Sequence, residues 1–293
     1  MKHGIRHWGP GLLMILPSIG LVGLFVYGLI GWNISISLSD EHGSIPVDTS
    51  GIDNYTSLLQ EQRFQDSLEN LATFTIVFLV GTLFFGLMWA LLLERGLRGE
   101  GFFRSMYLFP MAVSFIASGV VWRWLLNASE GDDATGLNRL FSTIGLSGLE
   151  NPWYSDPGWG MAAMAMPAVW QLSGYVMALF LAGLRSIPDE LREAARIDGA
   201  SEFRLYRHVI FPQLSPAALS ALVIIGHMSL KVFDLIMAIS GEARITEVPA
   251  VYLWGMTTIG DDAKAATIAT ILLLVVAVVV IPYLIFTSRW ERR

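Results

Sequence analysis

SIPDELREAARIDGASEFRLYRHVIFP, residues 186–212, decides how the rest of this 293-residue chain is read. It packs many charges between two long apolar runs. Ser186, Pro188, Asp189 and Glu190 have the order of a helix start: a capping hydroxyl, then proline and acids in the first turn, where the positive end of the helix dipole favours them. Leu191, Ala194, Ala195 and Ile197 recur at near-helical spacing. Asp198-Gly199 predicts the stop, because glycine enters the left-handed conformation without a Cβ clash. Ser201 is placed to cap a second helix, with Phe203, Tyr206, Val209 and Ile210 as its apolar face and Pro212 as its end. Two short amphipathic helices joined at a glycine are too polar to cross a bilayer. On the residues alone, an ordinary interfacial loop and a rigid knuckle are equally open.

The flanks of that stretch are membrane segments. Hydrophobic residues make up 54% of the chain and charged ones 15%, against about 25% charged in soluble domains. A spanning helix needs about 20 mostly apolar residues. Six segments meet that requirement: residues 11–38, 71–93, 104–126, 159–184, 215–240 and 265–287. The expected fold class is an all-α integral membrane protein with six transmembrane helices. Residues 1–70 are expected to form an N-terminal span and an acidic extracytoplasmic loop, and residues 71–293 a five-span core. Lys2 and Arg6 ahead of the first run look like the start of a signal peptide, but the run is too long and lacks a small-residue cleavage site, so it is expected to remain as a span. The chain has no cysteine, which excludes disulfides, iron–sulfur clusters and thiolate zinc sites. A net charge of −6 without a basic run argues against nucleic acid as a partner.

Basic residues orient the spans. With the N-terminus inside, the inner segments hold 13 of the Lys and Arg residues, among them Arg95, Arg98, Arg104, Arg185, Arg192, Arg196, Arg204 and Arg207. The outer segments hold four, namely Arg63, Arg139, Arg244 and Lys264. Both termini and the 186–212 stretch are therefore expected in the cytoplasm. The first outer loop, residues 39–70, is acidic, with Asp40, Glu41, Asp48, Asp53, Glu61, Asp66 and Glu69. The second, residues 127–158, carries Glu130, Asp132 and Asp133 and then an apolar patch over 137–149, with room for a short helix on the membrane face.

Glu193-Ala194-Ala195, then Asp198-Gly199-Ala200, then Val209, Phe211 and Pro212 resemble the EAA loop of bacterial ABC importer permeases. That pattern is Glu-Ala-Ala, a glycine four residues after the last alanine, and Ile-x-Leu-Pro about nine residues on; here Val209 and Phe211 replace Ile and Leu. Glu69-Asn70-Leu71 through Arg104 and Leu108-Phe109-Pro110 is similar to the first core span and its exit in the maltose-type, binding-protein-dependent carbohydrate importers. Leu230 to Ile236, with Thr246-Glu247-Val248-Pro249, is similar to their fifth-span region, although the usual glycine-rich stretch is reduced to Ser240-Gly241-Glu242-Ala243. The likeness covers most of residues 70–293. It implies a type I ABC importer permease fold in which Glu193, Ala194, Ala195, Asp198, Gly199, Ala200 and Pro212 form a cytoplasmic ATPase-coupling loop. It also implies the partners: two ABC ATPase subunits, a second permease that is either another copy or, as is more usual in the sugar branch, a different chain, and an extracytoplasmic solute-binding protein, gathered at a prokaryotic inner membrane. No cofactor is expected on this chain, ATP and Mg being held by the ATPase subunits. Nor is catalysis expected: the sequence has no HExxH, GxSxG or P-loop and no metal-ligand motif.

Polar side chains inside spans are costly and turn toward a cavity or a partner helix. Trp170, Gln171 and Ser173 in the fourth segment, and Ser229, Lys231 and Asp234 in the fifth, are the substrate-pathway candidates. An aromatic face covers the apolar face of a sugar ring, and the polar groups bond its hydroxyls, near the mid-membrane level where transporters hold substrate. For Lys231 and Asp234, three residues apart, pairing on one helix face is equally open. Arg123, near the outer end of the third segment, is expected to snorkel outward. Lys231 also keeps a glycerol-phosphate importer in view, since such a site needs cations. An ion-coupled carrier would need intramembrane carboxylates, of which Asp234 is the one clear candidate, and an internal repeat that this sequence lacks.

Overall fold

The computed structural model describes residues 5–39, 51–96, 98–129 and 131–290, and every regular element among them is helical. Asp40, Glu41, Asp48 and Glu130 of the outer loops lie outside these residues, as do Lys2, Arg292 and Arg293. Among the described residues, four helices are long and apolar enough to cross a bilayer: Met14–Ser37, Gln62–Glu94, Gly160–Arg185 and Asp262–Pro282. Two further candidates are bent pairs, Glu100–Ala112 with Phe115–Leu125 at 96° and Glu202–Gln213 with Ser215–Ser229 at 59°. Counting each pair as one span gives six.

The third and fifth segments are therefore not the single rods that hydropathy suggests. In the third, Phe109–Ala112 tightens into a 3-10 turn containing Pro110, and Val113 is extended at φ −83, ψ 137. Ser114 then restarts the helix, its Oγ accepting from the Ala117 N–H at 3.2 Å. In the fifth, the helix stops at Ser229 and resumes only as Asp234–Ile239. Pro212 lies at the end of its helix as expected: the helix stops at Gln213, before the 59° bend. Tyr206–Ile210 is a π-turn directly before Phe211–Gln213, and the wider turn opens the hydrogen-bond ladder where the proline has no N–H to give.

The chain divides into two compact units, Met1–Glu61 with Tyr252–Leu274 and Gln62–Val251 with Val275–Arg293. In the first, Asn33 donates to the Ala266 carbonyl at 3.1 Å and to Thr270 Oγ1 at 3.0 Å, so the one amide in that apolar helix is satisfied. Glu61 accepts from the buried Tyr252 hydroxyl at 2.6 Å and from Lys264 Nζ at 2.5 Å.

In the second unit the Gly160–Arg185 helix is central and more deeply buried than Gln62–Glu94. Its most extensive packing is on Gln62–Glu94. Small residues make this close approach possible: Gly81 lies against Val169 and Gly86 against Val176, where a Cβ would collide. Gln62–Glu94 begins before the apolar run at residue 71 because its buried stripe, Phe64, Ser67, Leu71, Phe74 and Phe78, already runs at helical spacing from Phe64. Near that start, Arg63 forms a two-pronged pair with Glu247 at 2.8 and 2.7 Å. Asn70 Nδ2 donates to the carbonyls of Ile245 and Glu247 at 3.1 and 2.9 Å. The second outer loop holds the helix Gly136–Thr143, tied down by buried Asn138, whose Oδ1 accepts from Trp153 Nε1 at 2.7 Å.

Candidate functional site: a charged knuckle and an aromatic cleft

The 186–212 stretch forms two short helices around a tight turn. Asp189–Ile197 is the first, with Pro188 ahead of it. Ser186 is not its cap: it closes the preceding Gly160–Arg185 helix and donates to the Gly183 carbonyl at 2.7 Å. The turn is a Schellman closure. Gly199 sits at φ +77, the Ala200 N–H reaches the Ala195 carbonyl at 2.9 Å, and the Gly199 N–H reaches Arg196 at 3.0 Å. Ser201 caps the second helix as expected, its Oγ accepting from the Arg204 N–H at 3.5 Å.

The two helices face the bundle differently from what their apolar pattern suggests. No residue of Asp189–Ile197 is buried, and Ile197 is 85% exposed. In the second helix Phe203 points outward at 72% exposure, while Leu205 and Ile210 are buried and Tyr206 and Val209 half-buried. The inward stripe 205, 206, 209, 210 has helical spacing, and Phe203 lies off it. Glu193, Ala194, Asp198, Gly199 and Pro212 are exposed, and Ala195 and Ala200 are half-buried. The knuckle thus presents Glu193, Ala194, Ile197 and Phe203 as a partly apolar surface on an otherwise charged segment.

On the inner side, Arg192 pairs with Glu94 at the end of the Gln62–Glu94 helix and donates to the Leu184 carbonyl at 3.2 Å. The Tyr206 hydroxyl donates to the other Glu94 oxygen at 3.2 Å.

The pathway candidates separate into three places. Trp170 and Ser173 line a cleft of about 610 Å³ together with Phe85, Trp89, Tyr107 and Val169. Trp89 and Tyr107 stack there at 4.4 Å, and Trp170 is tilted against Trp122 at 6.1 Å. Lys231 and Asp234 instead line a smaller cavity of about 70 Å³ beside Phe74, Phe78 and Phe115. They do not pair on one helix face: the helix is broken between them, Asp234 opening the next one, and no ion pair joins them. Gln171 and Ser229 line neither space. Gln171 is buried and donates to the Val113 carbonyl at 2.5 Å, and Ser229 donates to Gly226 at 2.7 Å within its own helix. Arg123 is exposed in the last turn of Phe115–Leu125, where a cation faces the carbonyl end of the helix.

Residues 82–293 match the family described as binding-protein-dependent transport system inner membrane component. The chain belongs to this family. It is similar to a probable ABC transporter permease protein of Pyrococcus horikoshii, with 40% identity over 96% of this chain and 97% of that protein. It is also 35% identical to the xylose/arabinose import permease protein XacH of Haloferax volcanii, over 96% of this chain and 86% of that protein. Among solved structures, a bacterial ABC transporter that imports the acidic polysaccharide alginate superposes with a TM-score of 0.78 at 22% identity, covering 99% and 98% of the two chains. The fold is that of a type I ABC importer permease. The permease is a multi-pass inner membrane component and a translocation subunit rather than an enzyme.

Two features of this permease escape a reading based on polar residues in spans. Phe85, Trp89 and Tyr107 line the cleft with Trp170, and Val77, Gly81, Phe85 and Trp89 follow one another at intervals of four, a helical stripe visible in the sequence. Glu94 is a lone acid at the end of an apolar span, directly before Arg95 and close to Arg98 and Arg104. Its isolation among cations was the available signal.

Proposed function

We propose that the permease carries a carbohydrate inward across the cytoplasmic membrane, driven by separate ATPase subunits. The observation that carries this is the cleft, which Trp89, Tyr107 and Trp170 line together with Ser173. Flat aromatic faces with a few hydrogen-bonding groups suit a sugar ring, which has apolar faces and a polar rim. The sugar named for the Haloferax relative supports the same class. A glycerol-phosphate cargo fits less well, because Lys231 lines the smaller cavity and not the cleft.

In this function both termini and the knuckle are cytoplasmic, a reading that the distribution of Arg and Lys supports. The exposed Glu193, Ala194, Ile197 and Phe203 form the surface on which an ATPase subunit docks, with Gly199 setting the angle between the two helices. A second, different permease completes the translocation pathway, and an extracytoplasmic solute-binding protein delivers the sugar to the outer loops. ATP and Mg reside on the ATPase subunits, and this chain binds no cofactor. Closure of the ATPases draws the knuckles together and opens the pathway outward; hydrolysis returns it inward. Purification of the tagged chain from its native membrane in mild detergent tests this. An ATPase, a second permease and a binding protein are expected to come with it, and proteoliposomes of the assembly are expected to take up sugar only with ATP. Uptake that persists without ATP and collapses with the proton gradient would overturn the proposal.

A further inference from the structure

We propose that Glu94 is the joint that passes motion of the knuckle to the Gln62–Glu94 helix, a positioning role that rests on the coupling function proposed above. Asp189–Ile197 has no fully buried residue, and Ala195 is its one half-buried apolar side chain, so apolar packing by itself does not hold it to the bundle. Arg192 does, with a side chain only 16% exposed: it pairs with Glu94 and bonds the Leu184 carbonyl at the end of Gly160–Arg185. Tyr206, from the second knuckle helix, holds the other oxygen of the same carboxylate. One carboxylate therefore grips both arms on either side of Gly199 and fixes the angle between them.

Position and burial give this joint its mechanical role. Glu94 is the last residue of the Gln62–Glu94 helix, and Trp89 in the cleft lies little more than a turn away on the same rod. A pull on Glu94 is a pull on one wall of the cleft. The Glu94 side chain is 10% exposed, so its pair with Arg192 is little screened and resists stretching. The neighbouring pair Arg185–Glu100 is 44% and 23% exposed, and Arg196–Glu202 is 56% and 66% exposed; both are wetter and weaker.

The test uses the whole assembly in proteoliposomes and reads sugar taken up per ATP hydrolysed, per assembled complex. Glu94→Gln and Arg192→Met are each expected to lower that ratio about 10-fold, the size of an ordinary coupling free energy between sites. The exchanged pair Glu94→Arg with Arg192→Glu is expected to recover much of it, and Arg185→Gln, which breaks the wetter pair, to leave it unchanged. A ratio that stays at the unmodified level in Glu94→Gln, with or without fewer complexes, makes Glu94 a strut for folding and overturns the proposal. Should Glu94→Gln not accumulate, Tyr206→Phe removes a single hydroxyl from the joint; a lowered ratio is expected, and an unchanged one overturns the proposal. If the unmodified chain brings down no ATPase, the coupling function itself has failed, an outcome visible before any variant is made.

Discussion

Gln171 donates a 2.5 Å hydrogen bond to the carbonyl of Val113, joining the middle of the central helix to the point where the third segment turns by 96°. Val113 is extended, so its carbonyl has left the helical ladder, and inside a membrane such a group needs a partner. Gln171→Leu keeps the bulk and removes the donor. The expected cost is about 1–3 kcal/mol, the penalty of a stranded buried acceptor. A thermal unfolding series in detergent checks it: the midpoint should fall, while the affinity for sugar in the protein that remains folded stays near normal.

Trp170 should behave in the opposite way. It is 43% exposed in the cleft, so its removal strands no polar group and empties no closed core. Trp170→Ala is expected to raise the sugar concentration for half-maximal uptake roughly 10-fold, about 1.4 kcal/mol, with ATPase subunits still bound. Trp89→Ala should act in the same direction, since its ring stacks on Tyr107 in the same cleft. Lowered expression with unchanged uptake per complex would make both residues packing elements. Uptake kinetics alongside quantitative recovery of the complex separate the two.

The difference between Gln171 and Trp170, adjacent in sequence, shows what the sequence could and could not convey. Hydropathy located the four long membrane helices and the region of the two bent ones, because burial in lipid leaves a run of apolar residues that needs no tertiary information. The knuckle was legible because its stop and its second start rest on local chemistry, at Gly199 and Ser201. Bends were less so: Pro110 and Ser114 mark the third-segment turn, but the Gln171 side chain that satisfies its freed carbonyl comes from another helix. Pairings across helices were not legible at all. Glu94 with Arg192, and Arg63 with Glu247, are separated by long stretches of chain, and nothing local predicts either partner. Pairing of Lys231 with Asp234, by contrast, was one of two readings their spacing left open, and it is not realised because the helix breaks at residues 230–233.

At the knuckle, Gly199 at φ +77 is a position where an L side chain is strained by roughly 1–2 kcal/mol. Gly199→Pro is worse, since it fixes φ near −65° and deletes the N–H that closes on Arg196. Glu193→Lys changes only an exposed charge and leaves the turn intact. Both variants are expected to abolish uptake while the chain remains inserted in the membrane, one through shape and the other through the docking surface. Membrane fractionation with an uptake assay checks this, and normal uptake in both would remove the knuckle from coupling.

Glu247 should prove the most costly charge to remove. Its side chain is 3% exposed and receives both prongs of the Arg63 guanidinium, while its backbone carbonyl accepts from Asn70. Glu247→Gln keeps the shape but takes the negative charge from a guanidinium already withdrawn from bulk water. Neutralising the buried partner of a two-pronged pair is expected to cost about 3 kcal/mol. Glu100→Gln breaks the far more exposed pair with Arg185 and should cost less than about 1 kcal/mol. Thermal unfolding of the two variants under the same detergent is the measurement. Glu247→Gln should unfold well below Glu100→Gln, and equal midpoints would mean that water reaches the Arg63–Glu247 pair.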